Sequence, residues 1–354
     1  MNRREFLKRC ALLGIGGGLL FLPQGARKLF ASSFAATVGE ERLARIAAAR
    51  REMHRSGELK RRAGQLWEMM GGCTLCPRQC GADRLGGKTG FCRSSGTELH
   101  ISSFNAHYGE ERPLVGRGGS GTIFFTHCNL RCVFCQNWEI SHLGRGEKIG
   151  IDDLADIMLL LERRGCHNIN LVTPTHYSAH ILKALDIAVE KGLRAPVVYN
   201  TSGWERLEVL RLLDGIVDIY LPDFKFRAPD MAAQYAAGAS SYPDVTEKAI
   251  LEMHRQVGVA KPAGDGVMYR GVMIRHLVMP NNVSGSEKVM EWIAENLPKE
   301  TYVNIMAQYR PAHKAYDHKE IARTINREEY NSVVKRAQEL GLSNLDVPGY
   351  WWMN

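Results

Sequence analysis

The chain has 354 residues, of which 45% are hydrophobic and 24% are charged, a composition typical of an ordinary globular protein. Its formal net charge is +8, but residues 1–35 hold six Lys or Arg against one Glu, which is +5 and leaves +3 for the remainder. The basic excess is therefore concentrated at the N-terminus and gives little support for nucleic-acid binding. The length suits one large α/β domain with appendages.

Residues 1–35 have the pattern of an export signal. The segment Arg3–Lys8 precedes an apolar, glycine-rich run at Ala11–Pro23, and small residues follow, with cleavage predicted after Ala35. The first segment, RREFLK, resembles the core of twin-arginine signals, and the apolar run is too short for a comfortable membrane span. We expect export to the periplasm or the membrane surface. An uncleaved anchor, or a cytoplasmic protein with a non-functional leader, is the alternative.

Residues 36–70 are predicted to form a helical linker of one or two helices, with a break near Ser56 and Gly57. Eight Lys or Arg fall between Arg42 and Arg62. We interpret them as a solvated face of the helices rather than as a site for an acidic partner.

A cysteine-rich module with a following hairpin is predicted for residues 71–120. Its four cysteines are separated by two, three and eleven residues, with glycines among them: Cys73, Cys76, Cys80 and Cys92. This spacing indicates a metal site, either zinc or an iron–sulfur cluster, and disulfides are the alternative in an exported protein. Two short strands are expected between Leu99 and Gly121.

A second group of cysteines follows an apolar strand predicted at Thr122–Thr126. Cys128, Cys132 and Cys135 have the spacing C-x3-C-x2-C. Three thiolates can ligate three irons of a [4Fe–4S] cube and leave the fourth iron open to a ligand. A zinc site would need a fourth protein ligand, and His127 is too close in sequence to reach the same metal easily.

Strand and helix patterns alternate from Thr122 onwards, which predicts a parallel sheet with functional residues at the carboxyl ends of its strands. Five more strands are expected at residues 168–173, 196–201, 217–223, 272–279 and 302–308. Helices are expected at residues 151–164, 178–191, 204–213, 244–257, 284–296 and 327–340. In the first helix Leu154, Met158 and Leu161 fall on one face. Cys166 is interpreted as a small buried hydrophobic residue.

The chain from Cys73 to Leu342 resembles the radical S-adenosylmethionine (SAM) superfamily, and within it an uncharacterised branch similar to glycyl-radical-enzyme activases such as pyruvate formate-lyase activating enzyme. The phrases CTLCPRQCG, GSGTIFF, CQNWEIS, NINLVTPTH, VDIYLPDFK, RHLVMPNN and MAQYRP carry this resemblance. It implies an open (β/α)6 partial barrel over residues 121–342, with residues 343–354 as a C-terminal tail.

The resemblance also implies a chemistry. Cys128, Cys132 and Cys135 match the three ligands of the [4Fe–4S] cluster, and Phe134 matches the position whose ring packs by the adenine of SAM. The open iron would chelate SAM, and one electron, from a donor such as flavodoxin or ferredoxin, would cleave it to methionine and a 5′-deoxyadenosyl radical. That radical would abstract hydrogen from a glycine of a partner protein or from a small molecule.

Polar residues at the strand ends are the candidate contacts to cofactor or substrate. We select Asn200, Asp223, Lys225 and Arg275, because they recur at one edge of successive strands. Asp223 and Lys225 also resemble an Asp-x-Lys element of the activases. The Gly-Gly-Glu-like motif that many family members use for the methionine amino group is missing, so Asn170, Thr173, His176 or another strand would have to replace it.

Two other functions remain open at this stage. An exported iron–sulfur electron carrier without radical chemistry would explain the signal and the missing motif, but it would not need a polar rim. A structural zinc protein that mediates interactions is the third interpretation.

Overall fold

The computed structural model describes residues 24–347, so the twin-arginine motif lies outside the described residues. Helices α1 (Gln24–Arg55) and α2 (Glu58–Glu68) come first. The predicted break between them is confirmed, and Gly57 makes it with φ 75°, a left-handed conformation that favours glycine. None of the helices between residues 24 and 347 combines the length and the apolar character that a membrane crossing requires.

Within residues 24–347, nine strands form one open sheet. They are β1 (Leu99–His107), β2 (Ser120–Phe125), β3 (Glu147–Ile149), β4 (Ile169–Val172), β5 (Val197–Thr201), β6 (Ile219–Pro222), β7 (Gly271–Leu277), β8 (Tyr302–Met306) and β9 (Asn344–Asp346). Their order is β3-β1-β2-β4-β5-β6-β7-β8-β9. In this spatial order, every neighbouring pair from β2 to β9 is parallel, whereas β1 runs antiparallel to both β2 and β3. The six predicted strands and the open, mainly parallel sheet are confirmed.

The remaining helices connect and cover the strands. They are α3 (Arg112–Val115), α4 (Trp138–Ser141), α5 (Ile151–Arg163), α6 (Ser178–Glu190), α7 (Leu207–Leu212), α8 (Pro229–Tyr235), α9 (Tyr242–Val257), α10 (Ser286–Asn296) and α11 (Arg327–Glu339). In α5 the predicted apolar face, Leu154, Met158 and Leu161, is fully buried. Helix α7 is shorter than predicted, and α8 was not predicted.

One expectation about the sheet edges was wrong. Residues 99–121 were expected to hold two short strands, but they hold β1, the short helix α3 and only the start of β2. Pro113 lies in the first turn of α3, where its missing N–H costs no hydrogen bond. The expected C-terminal tail contributes β9, which pairs with β8 through three residues.

The central strands are buried on both faces. All residues of β5 and β6 are buried, which explains their nearly continuous apolar sequences. Cys166 is buried as expected. Helix α1 is tied to this core by Arg50, whose Nη2 donates to the carbonyls of Arg194 and Ala195 at 2.9 and 2.6 Å.

Candidate active site

The loop after β2 carries Cys128, Cys132 and Cys135, and leads into α4. His127 and Arg131 take left-handed conformations, with φ of 68° and 53°, and turn the loop tightly. Cys132 is buried, and the other two cysteines are half-buried. The three thiols therefore lie on one tightly turned loop at the carboxyl end of the first parallel strand.

Neighbouring groups hold the sulfur atoms of this loop. The Leu130 N–H donates to Cys128 Sγ at 3.3 Å, and Cys135 Sγ lies 3.1 Å from Ser141 Oγ. In the described part of the chain, no three His, Cys, Asp or Glu side chains converge on one point as ligands of a single metal ion. Three cysteines within eight residues could instead hold a cluster, in which each sulfur binds a separate iron.

Distant segments clamp the middle of the loop. The Val133 N–H donates to the carbonyl of Tyr235, and the Val133 carbonyl accepts from the N–H of Lys314, both at 2.9 Å. The His142 ring Nε2 also lies 3.1 Å from the carbonyl of Cys132. The loop conformation is thus fixed by backbone contacts on both sides.

The chemistry of the buried thiols fits a metal centre. Burial raises the pKa of Cys128 and of Cys132 above the ordinary value. Backbone N–H groups oppose this rise at Cys128, and the positive charge of Lys225 opposes it at Cys132. Bare thiols here would stay neutral at physiological pH. Bound cations such as iron would hold them as thiolates.

Phe134 lies between two of these cysteines. It is 5% exposed and packs edge-on against Phe226, with ring centroids 5.9 Å apart, and against Tyr309 at 6.0 Å. Its ring therefore belongs to an aromatic cluster beside the loop. Its contact to an adenine ring stays a prediction.

The structure brings the four predicted rim residues together. Arg275, on β7, donates from Nε to Asp223 Oδ1 at 2.8 Å and from Nη2 to Asn200 Oδ1 at 2.6 Å. Lys225 Nζ donates to Asp223 Oδ2 at 2.6 Å. Asp223 therefore bridges two cations. Side-chain exposures of 13% to 19% for the three charged residues show that this network is largely removed from water.

Charge pairing keeps the network ionised. Burial alone would raise the pKa of Asp223, but the charges of Arg275 and Lys225 outweigh burial and lower it. Burial would likewise lower the pKa of Lys225, and Asp223 reverses that effect. The rim therefore presents fixed positive and negative groups at neutral pH.

Two acids that sequence analysis did not select join this network. Glu110 Oε2 lies 3.7 Å from Arg275 Nη1, and Glu111 Oε1 lies 4.0 Å from Arg275 Nε and accepts from Asn304 Nδ2 at 3.0 Å. Both acids follow β1, which runs opposite to the parallel strands, so they approach Arg275 from the other edge of the sheet. Burial raises the pKa of Glu110 to about 7, and the nearby charge of Glu111 adds to that rise against the pull of Arg275.

Comparison with known proteins identifies the family. The model of the radical SAM superfamily matches residues 122–255, which contain the cysteine loop and three of the four predicted rim residues. The uncharacterized protein MJ0674 of Methanocaldococcus jannaschii is 34% identical over 280 residues, which cover 76% of this chain and 75% of that protein. This chain belongs to the radical SAM superfamily. Membership implies a [4Fe–4S] cluster, SAM and a reductant, and it makes the open sheet the partial barrel of a radical SAM enzyme.

Few side chains of the radical SAM core are free to replace the missing Gly-Gly-Glu-like motif. His176 is buried, and its Nε2 lies 2.8 Å from the carbonyl of Thr126. Asn170 donates to Ser120 Oγ at 3.1 Å, but its Oδ1 is buried without a hydrogen-bond partner. Of the two, only Asn170 has a side-chain oxygen to offer an ammonium group.

Glu205 is a further buried acid of the radical SAM core that sequence analysis missed. Its Oε1 accepts from Thr175 Oγ1 at 2.5 Å and from Thr201 Oγ1, and it is completely buried. Burial raises its pKa to about 7, although both hydroxyl groups oppose the rise. Its partner Thr201 ends β5, and its partner Thr175 lies three residues after β4.

The raised pKa of Glu205 makes stability depend on pH. The folded protein holds this proton up to a pKa of about 7, above the ordinary 4.5, so stability falls as pH rises between these values. We expect Glu205→Gln to raise the free energy of unfolding by about 3 kcal/mol at pH 8 and to leave it nearly unchanged at pH 5. Urea unfolding at both pH values measures this. An equal change in the free energy of unfolding at both pH values would contradict a raised pKa at Glu205. The same pH dependence in the control Glu300→Gln, at an exposed position, would contradict it as well.

The four cysteines of the predicted second metal site also lie near one another. A Cβ at Gly90 would stand 3.2 Å from Cys80 Sγ and 3.5 Å from Cys92 Sγ, so the bare backbone of this glycine fits between two sulfurs. Cys73, Cys76 and Cys92 are buried and Cys80 is exposed. None of the cysteines in residues 24–347 forms a disulfide.

A surface cavity of about 350 Å³ lies elsewhere. Its lining includes Trp67, Leu99, Lys148 and His180. None of the lining residues is a predicted ligand or rim residue, so the cavity carries no part of the site.

Proposed function

We propose that this protein is a radical SAM oxidoreductase that cleaves SAM reductively and abstracts a hydrogen atom from its substrate. Cys128, Cys132 and Cys135 would hold the [4Fe–4S] cluster and Phe134 would pack by the adenine. The bound cluster and SAM would supply the electron-transfer and radical chemistry. The remaining task of the protein is to bind, orient and shield the reactants.

The single observation that supports this function best is the ordered charge network beside the cysteine loop. Lys225 and Arg275 can hold a carboxylate, while Asp223 can accept hydrogen bonds from an ammonium or a ribose hydroxyl, and Asn200 can do the same. The positive charge of Lys225 opposes the rise that burial causes in the Cys132 pKa, which supports one shared site for the rim and the loop. An electron carrier would gain nothing from burying these charges, because burial of charge is costly.

For the substrate, we propose a glycine backbone position in a partner protein, which would make this enzyme a glycyl-radical activase. The Asp-x-Lys arrangement of Asp223 and Lys225 supports this proposal, since both residues lie at the rim as the activase resemblance implies. A small-molecule substrate is the alternative within the same chemistry.

Export by the twin-arginine route and a flavodoxin or ferredoxin as electron donor complete the proposal. The sequence pattern of residues 1–35 supports export. That route carries folded proteins, which suits a chain that must acquire its iron before it crosses a membrane.

The test is an anaerobic assay of the reconstituted protein. We expect the dithionite-reduced protein to convert SAM to 5′-deoxyadenosine and methionine, and the oxidised protein to form neither. Chromatography measures both products. A reduced cluster whose spectrum does not respond to SAM, with no 5′-deoxyadenosine, would refute the enzyme and leave the exported electron carrier.

A further inference from the structure

Arg84 is a buried cation at the Cys73–Cys92 module. The residue has no exposed surface. Its Nη1 donates to Cys73 Sγ at 3.7 Å, and its Nη2 donates to Ser94 Oγ at 2.9 Å and to the carbonyls of Ser95 and His176 at 3.1 and 2.9 Å. All these acceptors are neutral unless Cys73 is ionised.

No carboxylate balances this charge. Within the part of the chain that the structure describes, Arg84 forms no ion pair with Asp or Glu. A buried, uncompensated charge costs several kcal/mol, so a negative group must stand next to it. The adjacent cysteines are the groups that can provide this charge, because metal-bound cysteines are thiolates.

Two further arginines, Arg78 and Arg131, lie half-buried beside the two groups of cysteines. They have hydrogen bonds to carbonyls or contacts to aromatic rings, and neither pairs with a carboxylate among residues 24–347. Arg78 lies between the groups, since negative charge on Cys76 and on Cys128 would each act on it. The cations therefore frame two anionic sites rather than one.

Buried donors without acceptors indicate what the second site binds. Arg84 Nε and Arg131 Nε are both buried and lack hydrogen-bond partners. A zinc ion held by four cysteines adds no acceptor beyond the thiolates. An iron–sulfur cluster adds inorganic sulfides, which accept N–H hydrogen bonds.

The module also extends from the protein surface to the first site. Cys80 is exposed, whereas Cys76 is buried next to Asn129, whose side chain partly offsets the burial that raises the Cys76 pKa. Asn129 Oδ1 lies 3.9 Å from Cys128 Sγ, and the Asn129 carbonyl accepts from Arg78 Nε at 3.0 Å. A single residue, Asn129, therefore lies between Cys76 of the module and Cys128 of the loop.

We propose that Cys73, Cys76, Cys80 and Cys92 hold a second iron–sulfur cluster, which takes electrons from a donor at the Cys80 surface and passes them to the Cys128–Cys135 site. One electron from a low-potential donor reduces the second cluster. The same electron then moves to the first site and re-oxidises the second, so no atom or proton is transferred. The relay role rests on the proposed function, whereas the presence of the second cluster does not.

Metal content tests the second cluster without any assay of activity. In the anaerobically reconstituted full chain we expect about eight irons for two cubes, or about six if the second centre has two irons, and no stoichiometric zinc. Cys80→Ala should lower the iron content to about four, because the second cluster loses one of its ligands. The Cys80 side chain is exposed, so its replacement leaves no cavity in the core. The matched control Cys166→Ala should keep the full iron content. About four irons with about one zinc, or with neither metal at the second site, would overturn the proposal.

Arg84 provides an independent test of the counter-charge. We expect Arg84→Met to lose the iron of the second site and Arg84→Lys to retain most of it, with circular dichroism showing that both variants are folded. Equal iron in both folded variants, at the wild-type level, would contradict the assigned role of Arg84 and with it the anionic site.

The relay is tested by electron paramagnetic resonance of the first site after mixing with a reductant. With reduced flavodoxin, we expect reduction of the first site to be at least about tenfold slower in Cys80→Ala than in Cys166→Ala. Titanium(III) citrate should reduce the first site of the two variants at equal rates. Equal rates with flavodoxin would overturn the relay. These signals do not depend on SAM cleavage, so a failure of the proposed function would remain distinguishable.

Discussion

Cys132→Ala is expected to form no measurable 5′-deoxyadenosine from SAM. Changes to groups around a metal ligand commonly cost about 10- to 100-fold in activity, and loss of a ligand should cost more than about 100-fold. Cys132 is the most buried of the three loop cysteines. Anaerobic chromatography of the reduced, reconstituted variant measures this effect.

Cys166→Ala is the matched control for this prediction. Cys166 is 6% exposed and Cys132 is 8% exposed, so both substitutions remove a sulfur from a buried position. Cys166 lies against Gly121 at the opposite end of β2 from the cysteine loop. Wild-type SAM cleavage by Cys132→Ala, or an equal loss in both variants, would refute the role of Cys132.

Asp223→Ala is expected to cause the largest loss of stability at the rim. It would leave Lys225 and Arg275 without the carboxylate that bridges them, and removing one partner of a buried ion pair costs about 3–5 kcal/mol. We expect SAM cleavage to fall about 100-fold as well, because both cations would lose their fixed positions.

The loss of stability should depend on pH, because Glu110 can partly replace Asp223. Burial holds the pKa of Glu110 at about 7, and Asp223 is one of the negative charges that add to this. Without Asp223, the pKa of Glu110 should fall, and its carboxylate would pair with Arg275. As the pH rises towards 7, ionisation of Glu110 lowers the free energy of unfolding of the wild-type protein, whereas it should not lower that of the variant. The difference between the two should therefore be larger at pH 5 than at pH 8.

Urea unfolding at pH 5 and pH 8 checks this prediction. Asp214→Ala is the control, because Asp214 forms an exposed ion pair with Arg255, and such pairs contribute about 0–1 kcal/mol. A loss as small as that of the control would show that Asp223 does not bridge buried cations. A larger loss at pH 8 than at pH 5 would show that Glu110 does not replace it.

Much of the sheet could be predicted from sequence because its strands are buried on both faces. Runs such as Ile219–Pro222 are apolar throughout, and α5 shows its buried stripe at helical spacing. The edges were harder to predict. β9 has only three residues and no fully buried side chain, so it carries no apolar signal that separates it from a tail.

The site was predictable where its residues lie on the parallel strands or directly after them. Asp223 directly follows β6, Arg275 lies within β7, and the two side chains meet. Glu110 was not selected, because its partner lies 165 positions away in sequence and across the sheet. Arg84 and Glu205 gave no local signal either, since only tertiary packing shows that their charges are buried.

The backbone clamp on Val133 has a consequence for the order of biosynthesis. One partner, Tyr235, is about a hundred residues downstream, and the other, Lys314, is 181 residues downstream. The ribosome must therefore make most of the chain before the cysteine loop can take its final shape. If Cys132 binds iron in this loop conformation, the iron would bind after residue 314 has been made and would not accompany synthesis of the loop.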